Sequence, residues 1–158
     1  MSWESILLWG FVATIVLTSI MVAAQQLHLT RMSLPLMLGT MLTPNRDRAP
    51  LVGFSFHLMN GWIFALLYAM AFESWDRATW WLGASIGLVH SMFVLLVGMQ
   101  MLPSLHPRMA SEQHGPSPTR QLQPPGVAAL NYGRRTPIAT IAAHLVYGAI
   151  LGAFYTLS

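Results

Sequence analysis

The chain contains no cysteine and no lysine, and only 8% of its 158 residues are charged. The absence of cysteine removes disulfides, thiolate metal sites, cysteine nucleophiles and S-palmitoylation together. The scarcity of charge excludes an ordinary soluble domain, in which about 25% of residues carry charge. Without lysine, all eight basic residues are arginines, and the net charge of +3 gains its meaning from where they stand. No P-loop, dinucleotide fingerprint or His-Glu-x-x-His occurs, so a non-enzymatic role is expected. The arginines are scattered, with no basic fold around them, so nucleic acid is not an expected partner.

What is abundant is apolar sequence. Four long stretches lack any charge, and each supplies the roughly 20 residues that cross a bilayer's hydrocarbon core. The expected spans are 5–27, 49–72, 78–102 and 136–157, joined by connectors at 28–48 and 103–135. The first stretch is expected to be a retained span. Met-Ser-Trp-Glu-Ser before it carries an acid and no base, and its apolar run exceeds that of a signal peptide. In lipid every backbone group must bond internally, so each span should be a helix. The fold class expected is therefore all-α, a polytopic membrane four-helix bundle forming one domain over 1–158.

The arginines orient it. Arg31, Arg46 and Arg48 fall in the first connector, and Arg108, Arg120, Arg134 and Arg135 in the second. The other side holds Glu4, Glu73, Asp76 and only Arg77. By the positive-inside bias both connectors face the cytoplasm and both termini lie outside it. Trp3, Trp75, Trp80 and Trp81 sit where aromatic rings anchor at headgroup level. Met32 to Leu42 is apolar but too short to cross, and Pro35 interrupts it, which suggests an interfacial or re-entrant segment. The 103–135 connector, with Pro116, Pro118, Pro124, Pro125 and Gly126, should be irregular.

Spans two and four share a motif. Arg48, Pro50, His57, Gly61 and Tyr68 match Arg135, Pro137, His144, Gly148 and Tyr155 in one register, Arg-x-Pro-x6-His-x3-Gly-x6-Tyr. A weaker echo pairs Leu27-His28 and Arg31-Met32 with Leu105-His106 and Arg108-Met109. The chain thus reads as two parallel helix-pair repeats, about 1–76 and about 77–158, related by an axis along the membrane normal. At about 100° per residue, His, Gly and Tyr of each motif share one stripe. Each proline stands at a first helical turn, where a missing N–H costs least. His57 and His144 should lie roughly 10 Å inside the cytoplasmic boundary, with the two tyrosines near the outer one. Gly61, Gly83, Gly87, Gly148 and Gly152 form small-residue stripes that let membrane helices approach closely. His57, His90 and His144 are therefore expected to point into the bundle.

An ionisable residue inside a membrane is a site candidate. The candidate polar site is His57, His90, His144, Asn60, Tyr68 and Tyr155. Four readings follow. The histidines can serve as interhelical hydrogen-bond donors, worth about 1 kcal/mol or less. His57 and His144 can ligate a haem b or, with His90, a metal ion. The bundle can conduct a small solute, with histidines as the only proton carriers. Arg46, Arg48, Arg134 and Arg135 can bind lipid phosphate or another anion bidentately, although topology alone already requires arginines there.

The runs His-Leu-Val-Tyr-Gly-Ala-Ile-Leu-Gly-Ala-Phe-Tyr (144–155), Gly-Phe-x-x-His-x-x-x-Gly-Trp (53–62) and Leu-His-Pro-Arg-Met-Ala (105–110) resemble a group of small, uncharacterised bacterial multi-pass membrane proteins. The resemblance covers most of the chain. It implies a bacterial cytoplasmic (inner) membrane and carries no activity. The expected role is a membrane-embedded interaction or accessory protein, or a small solute conduit, with no cofactor. The alternative is a haem b- or metal-binding redox subunit. Expected partners are the lipid bilayer and either a second copy or another membrane protein.

Overall fold

The computed structural model describes all residues 1–158. It is all-helical: α1 (Trp3–Gln26), α2 (Leu34–Leu42), α3 (Ala49–Ser74), α4 (Trp80–Phe93), α5 (Met99–Leu105) and α6 (Thr136–Phe154). A five-residue π turn, Val94–Gly98, joins α4 to α5 into one continuous third span, Trp80–Leu105. Four helices are long and apolar enough to cross a membrane. Their outward faces are apolar too, with Leu51, Ile63, Leu67, Val89 and Ile138 more than half exposed. Helices that are apolar all round belong in lipid or deep inside a protein.

Local chemistry sets the helix ends. The Ser2 hydroxyl accepts from the Ser5 N–H at 3.3 Å, and the Thr79 hydroxyl accepts from Leu82 at 3.4 Å. Arg48 and Arg135 occupy the N-cap positions of α3 and α6 with nearly the same backbone angles, and a proline stands in each first turn. The shared motif thus recurs as the same local structure. Asp76, in the left-handed region at φ 48°, turns the chain between α3 and α4. Two span ends differ from the expectation. The third span continues through Pro103 to Leu105, and α6 stops at Phe154, where Tyr155 turns extended.

The bundle is held by unequal pairings. α1 lies between α3 and α6, and α4 packs along α6. α3 and α4 follow one another in the chain but are not among the helix pairs packed along their lengths. Motif residues therefore share local geometry but not surroundings.

α2 folds back on α3 as a tight hairpin. A Cβ on Gly53 would strike the Pro35 carbonyl, and one on Gly39 would strike the Ala49 backbone. Pro35 is thus level with the fifth residue of α3. At 1.5 Å per residue, α2 begins about 6 Å inside the start of α3. The segment thus packs antiparallel along the first turns of α3.

The 103–135 connector is mostly irregular, as its prolines demand, yet docked. Met109, Pro125 and Ala129 are buried within it. Thr30 and Thr136 hydroxyls meet at 2.7 Å, and the Arg31 N–H donates to the Tyr132 carbonyl at 2.8 Å. Both connectors therefore form one cap at the arginine-rich end. The opposite end gathers Glu73 with the Met1 ammonium at 3.4 Å, the Tyr155 hydroxyl at 2.8 Å and the Ser158 hydroxyl at 3.0 Å.

His106 pins the cap. Its Nε2–H donates to the Met37 carbonyl of α2 at 2.9 Å, and its Nδ1 accepts from the Arg108 N–H at 3.1 Å. Burial first, then the nearby Arg108 charge, hold its pKa below the usual imidazole value, outweighing the bond to Met37. The folded state therefore takes up fewer protons than the unfolded state. This stabilisation is present above about pH 6.5 and is lost as pH falls through the lower folded value. Amide exchange in α2 and residues 106–110 should accelerate as pH drops from 7.5 to 5, after correction for intrinsic rates. His106→Gln should flatten that dependence; an unchanged pH slope in the variant would remove His106 as its origin.

Candidate functional site

A cavity of about 230 Å³ lies inside the bundle. It has room for about eight waters at roughly 30 Å³ each. His57 and Asn60 reach it from α3, His90 from α4, and Thr140, His144 and Tyr147 from α6. α1 contributes Thr14, Leu17 and Met21, and α2 contributes Leu34, Met37 and Leu38. The π turn places Val94 and Gly98 on the same wall. Such turns are rare and recur at functional sites. The fold thus brings four of the six expected polar residues, His57, Asn60, His90 and His144, to one space.

The other two are placed differently. Tyr68 is buried beside the cavity rather than near a boundary, with its hydroxyl 3.4 Å from Nδ1 of His90. Tyr155 does not join the group. α6 ends one residue before it, and its hydroxyl donates to Glu73 at the far end of the bundle. Between the two, aromatic rings pack in a row from the cavity toward the chain ends. Tyr147 meets Tyr68 edge-on at 5.5 Å, Phe72 meets Tyr68 at 6.2 Å, and Tyr155 packs on Phe72 at 5.7 Å. The Tyr147 hydroxyl donates to the Gly61 carbonyl at 2.6 Å and ties α6 to α3.

Hydrogen bonds fix two imidazole tautomers. The Thr18 hydroxyl lies 2.7 Å from the Thr14 carbonyl, which only accepts, so the threonine proton is spent there. Nδ1 of His57, 2.9 Å from the same hydroxyl oxygen, must therefore donate to it. Nδ1 of His144 donates to the Thr140 carbonyl at 2.8 Å. In each neutral ring the lone pair is left on Nε2, which has no partner within the protein. His90 stacks on Phe64 at 3.7 Å and meets His144 edge-on at 4.6 Å. One polar side-chain atom is buried with no partner at all, Oγ1 of Thr140, packed behind the cavity wall. A buried hydroxyl left unbonded costs about 1–3 kcal/mol.

The histidines and carboxylates nowhere form a group of three or more able to hold a metal ion. The cavity is also smaller than the roughly 300–1,000 Å³ of pockets for drug-sized ligands. A porphyrin between His57 and His144 would require the bundle to widen.

The glycines expected at packing positions lie at close helix approaches. Gly83 and Gly148 face each other's carbonyls, Gly87 faces the His144 carbonyl, Gly152 faces Thr79, and Gly61 faces the Thr14 side chain. Of the candidate anion-binding arginines, Arg46 donates to Gln121 at 3.2 Å. Arg48, Arg134 and Arg135 are exposed, and their guanidinium groups bond nothing within the protein.

Sequence periodicity missed Thr14, Thr18, Phe64 and the π turn as parts of the site. The one available signal was Thr14 and Thr18 at i and i+4, which puts two hydroxyls on one face of α1. Compared with protein-family models, curated proteins and solved structures, the chain matches none.

Proposed function

We propose that the chain is a non-enzymatic multi-pass protein of a bacterial cytoplasmic membrane that binds a small uncharged molecule in its central cavity, to hold it or pass it on. In this reading the arginine-rich cap faces the cytoplasm and the bundle is built from two parallel repeats. The exposed arginines at the starts of α3 and α6 sit at lipid-phosphate level. The observation that carries the reading is a cavity lined by two imidazoles whose Nε2 lone pairs have no partner within the protein. Polar groups inside a bundle are normally satisfied, and unpartnered imidazole nitrogens on a cavity ask for an occupant. The absence of any carboxylate or arginine from the lining argues for an occupant without charge.

Ligation of a haem or metal ion is the second reading. It draws on the same tautomers, because ligating histidines commonly donate their other nitrogen to a nearby acceptor and so free Nε2 for the metal.

One preparation tests both. The full chain is purified in mild detergent from its native membrane. Native mass spectrometry, absorption spectra before and after dithionite, and metal analysis are then recorded. The expected result is a small organic mass retained by the wild type and lost in His57→Leu and His144→Leu, with no Soret band. A Soret band that sharpens on reduction and vanishes in His57→Ala and His144→Ala would move the protein to electron transfer. No retained mass, spectrum or metal would leave the histidines as helix-packing contacts.

A further inference from the structure

The chemistry of the cavity wall narrows what can sit there. Two of its acceptors are fixed, Nε2 of His57 and of His144, each opposite a committed Nδ1–H, and the Asn60 amide also lines the space. The Thr14 hydroxyl is no donor to the cavity, because its proton goes to the Gly10 carbonyl at 2.6 Å. Thr140 Oγ1 is unbonded but packed out of reach of the space. A ligand that only accepts would leave two imidazole lone pairs dry. A ligand with a hydroxyl satisfies one lone pair by donating. No charged side chain lines the space, so an ionised ligand would lie in a membrane interior without a counter-charge.

The remaining wall is apolar and partly flat. Leu17, Met21, Val94 and Met99 supply aliphatic surface, and Phe64, stacked on His90, supplies an aromatic plane. The volume suits one substituted ring. α3 and the third span are bridged by the Phe64, Tyr68 and His90 side chains, not by packed backbones. Gly98 lines the cavity, and a Cβ added to it would meet nothing within 4 Å.

We infer that the cavity takes a lipid-soluble phenol: an uncharged single-ring ligand whose hydroxyl donates to Nε2 of His57 or His144, and which reaches the site from the bilayer between α3 and the third span. This rests on the reading of the cavity as a ligand site and deepens it.

The test uses the full chain in lipid nanodiscs, with empty nanodiscs to subtract partitioning. The probes are 4-ethylphenol and its methyl ether, 4-ethylanisole, which share a ring and an apolar tail and differ in the donor. Binding is read by calorimetry and by saturation-transfer NMR. The phenol is expected to bind at least about ten-fold more tightly than the ether. His57→Leu and His144→Leu should each reduce that ratio, and the double variant should bring it near one. The wild-type comparison stands even where a variant fails to fold. Equal affinities would overturn the phenol assignment while leaving a ligand-binding cavity. An ether that binds more tightly would do the same. If neither probe binds, the phenol assignment falls, and the retained-mass experiment decides whether the cavity reading falls with it.

Discussion

Gly148→Leu is expected to pull the third and fourth spans apart and to cost more than about 3 kcal/mol, the upper part of the range for overpacked sites. The reason is reciprocity. A Cβ on Gly148 would run into the Gly83 carbonyl, and a Cβ on Gly83 into the Gly148 carbonyl. One turn away, Gly87 abuts the His144 carbonyl, and at the other end Gly152 abuts the Thr79 carbonyl. All four obstacles are backbone. A flexible side chain could swing aside, but a helix carbonyl can move only if the helix moves. In lipid no hydrophobic drive between helices offsets the lost contact, since tails are as apolar as leucine. Within-protein controls exist. Gly98→Ala adds a methyl to open space and should be neutral or stabilising by about 0.5–1 kcal/mol from helix propensity. Gly61→Ala meets only the Thr14 side chain, although closely, and should fall between. Unfolding in mixed detergent, with size-exclusion profiles of each variant, gives the order. A Gly148→Leu protein as stable as Gly98→Ala would mean that α4 and α6 do not cross where the structure puts them. Because His144 lies one turn from Gly148, loss of this crossing should also abolish ligand retention.

The parts of this architecture that were legible in sequence are those written as absence of charge. Four uncharged runs gave four helices, because backbone in lipid has no alternative to internal hydrogen bonding. The Arg-x-Pro pairs marked the starts of α3 and α6. Helix ends were less legible. The stripe through His144 and Gly148 was extended to Tyr155, but helical periodicity holds only while the helix lasts, and α6 stops at Phe154. The π turn was invisible because Val-Leu-Leu-Val-Gly fits an α-helix equally well by composition. The shared motif fixed local geometry and was silent on packing: α1 lies along α6, while α3 and α4 stand apart. The convergence of His57, His90 and His144 could be anticipated from small-residue stripes, which face neighbouring helices. The orphaned Thr140 hydroxyl could not. A mid-helix threonine usually bonds to its own helix backbone, as Thr14 and Thr18 do here, and only the fold shows which one does not.

A reporter that is active only outside the cytoplasm should work when fused after Ser158, and a cytoplasmic reporter should work when inserted at Gly115, which is exposed with open space around it. The two results are coupled by the fold. Thr30 bonds Thr136, and Arg31 bonds Tyr132, so the two connectors cannot lie on opposite faces of a membrane. Orientation is then a single choice between two ends of very different charge. One carries Arg31, Arg46, Arg48, Arg108, Arg120, Arg134 and Arg135 against Asp47 and Glu112; the other carries Arg77 against Glu4, Glu73 and Asp76. Moving an arginine through the centre of a helix span costs about 2.5–3.5 kcal/mol on insertion scales, and positive residues near span ends dominate the choice. Replacing Arg46, Arg48, Arg134 and Arg135 with glutamine while adding arginines between α3 and α4 should therefore give a mixture of orientations, read as partial activity of both reporters. A wild-type chain whose Ser158 reporter is silent outside and whose Gly115 reporter is silent inside would be inverted, with its arginines on the outer face. The connector cap and its His106 pin would then meet the pH of the exterior rather than of the cell. Two reporters placing the connectors on different sides would contradict the bundle itself, because the cap that joins them could not form.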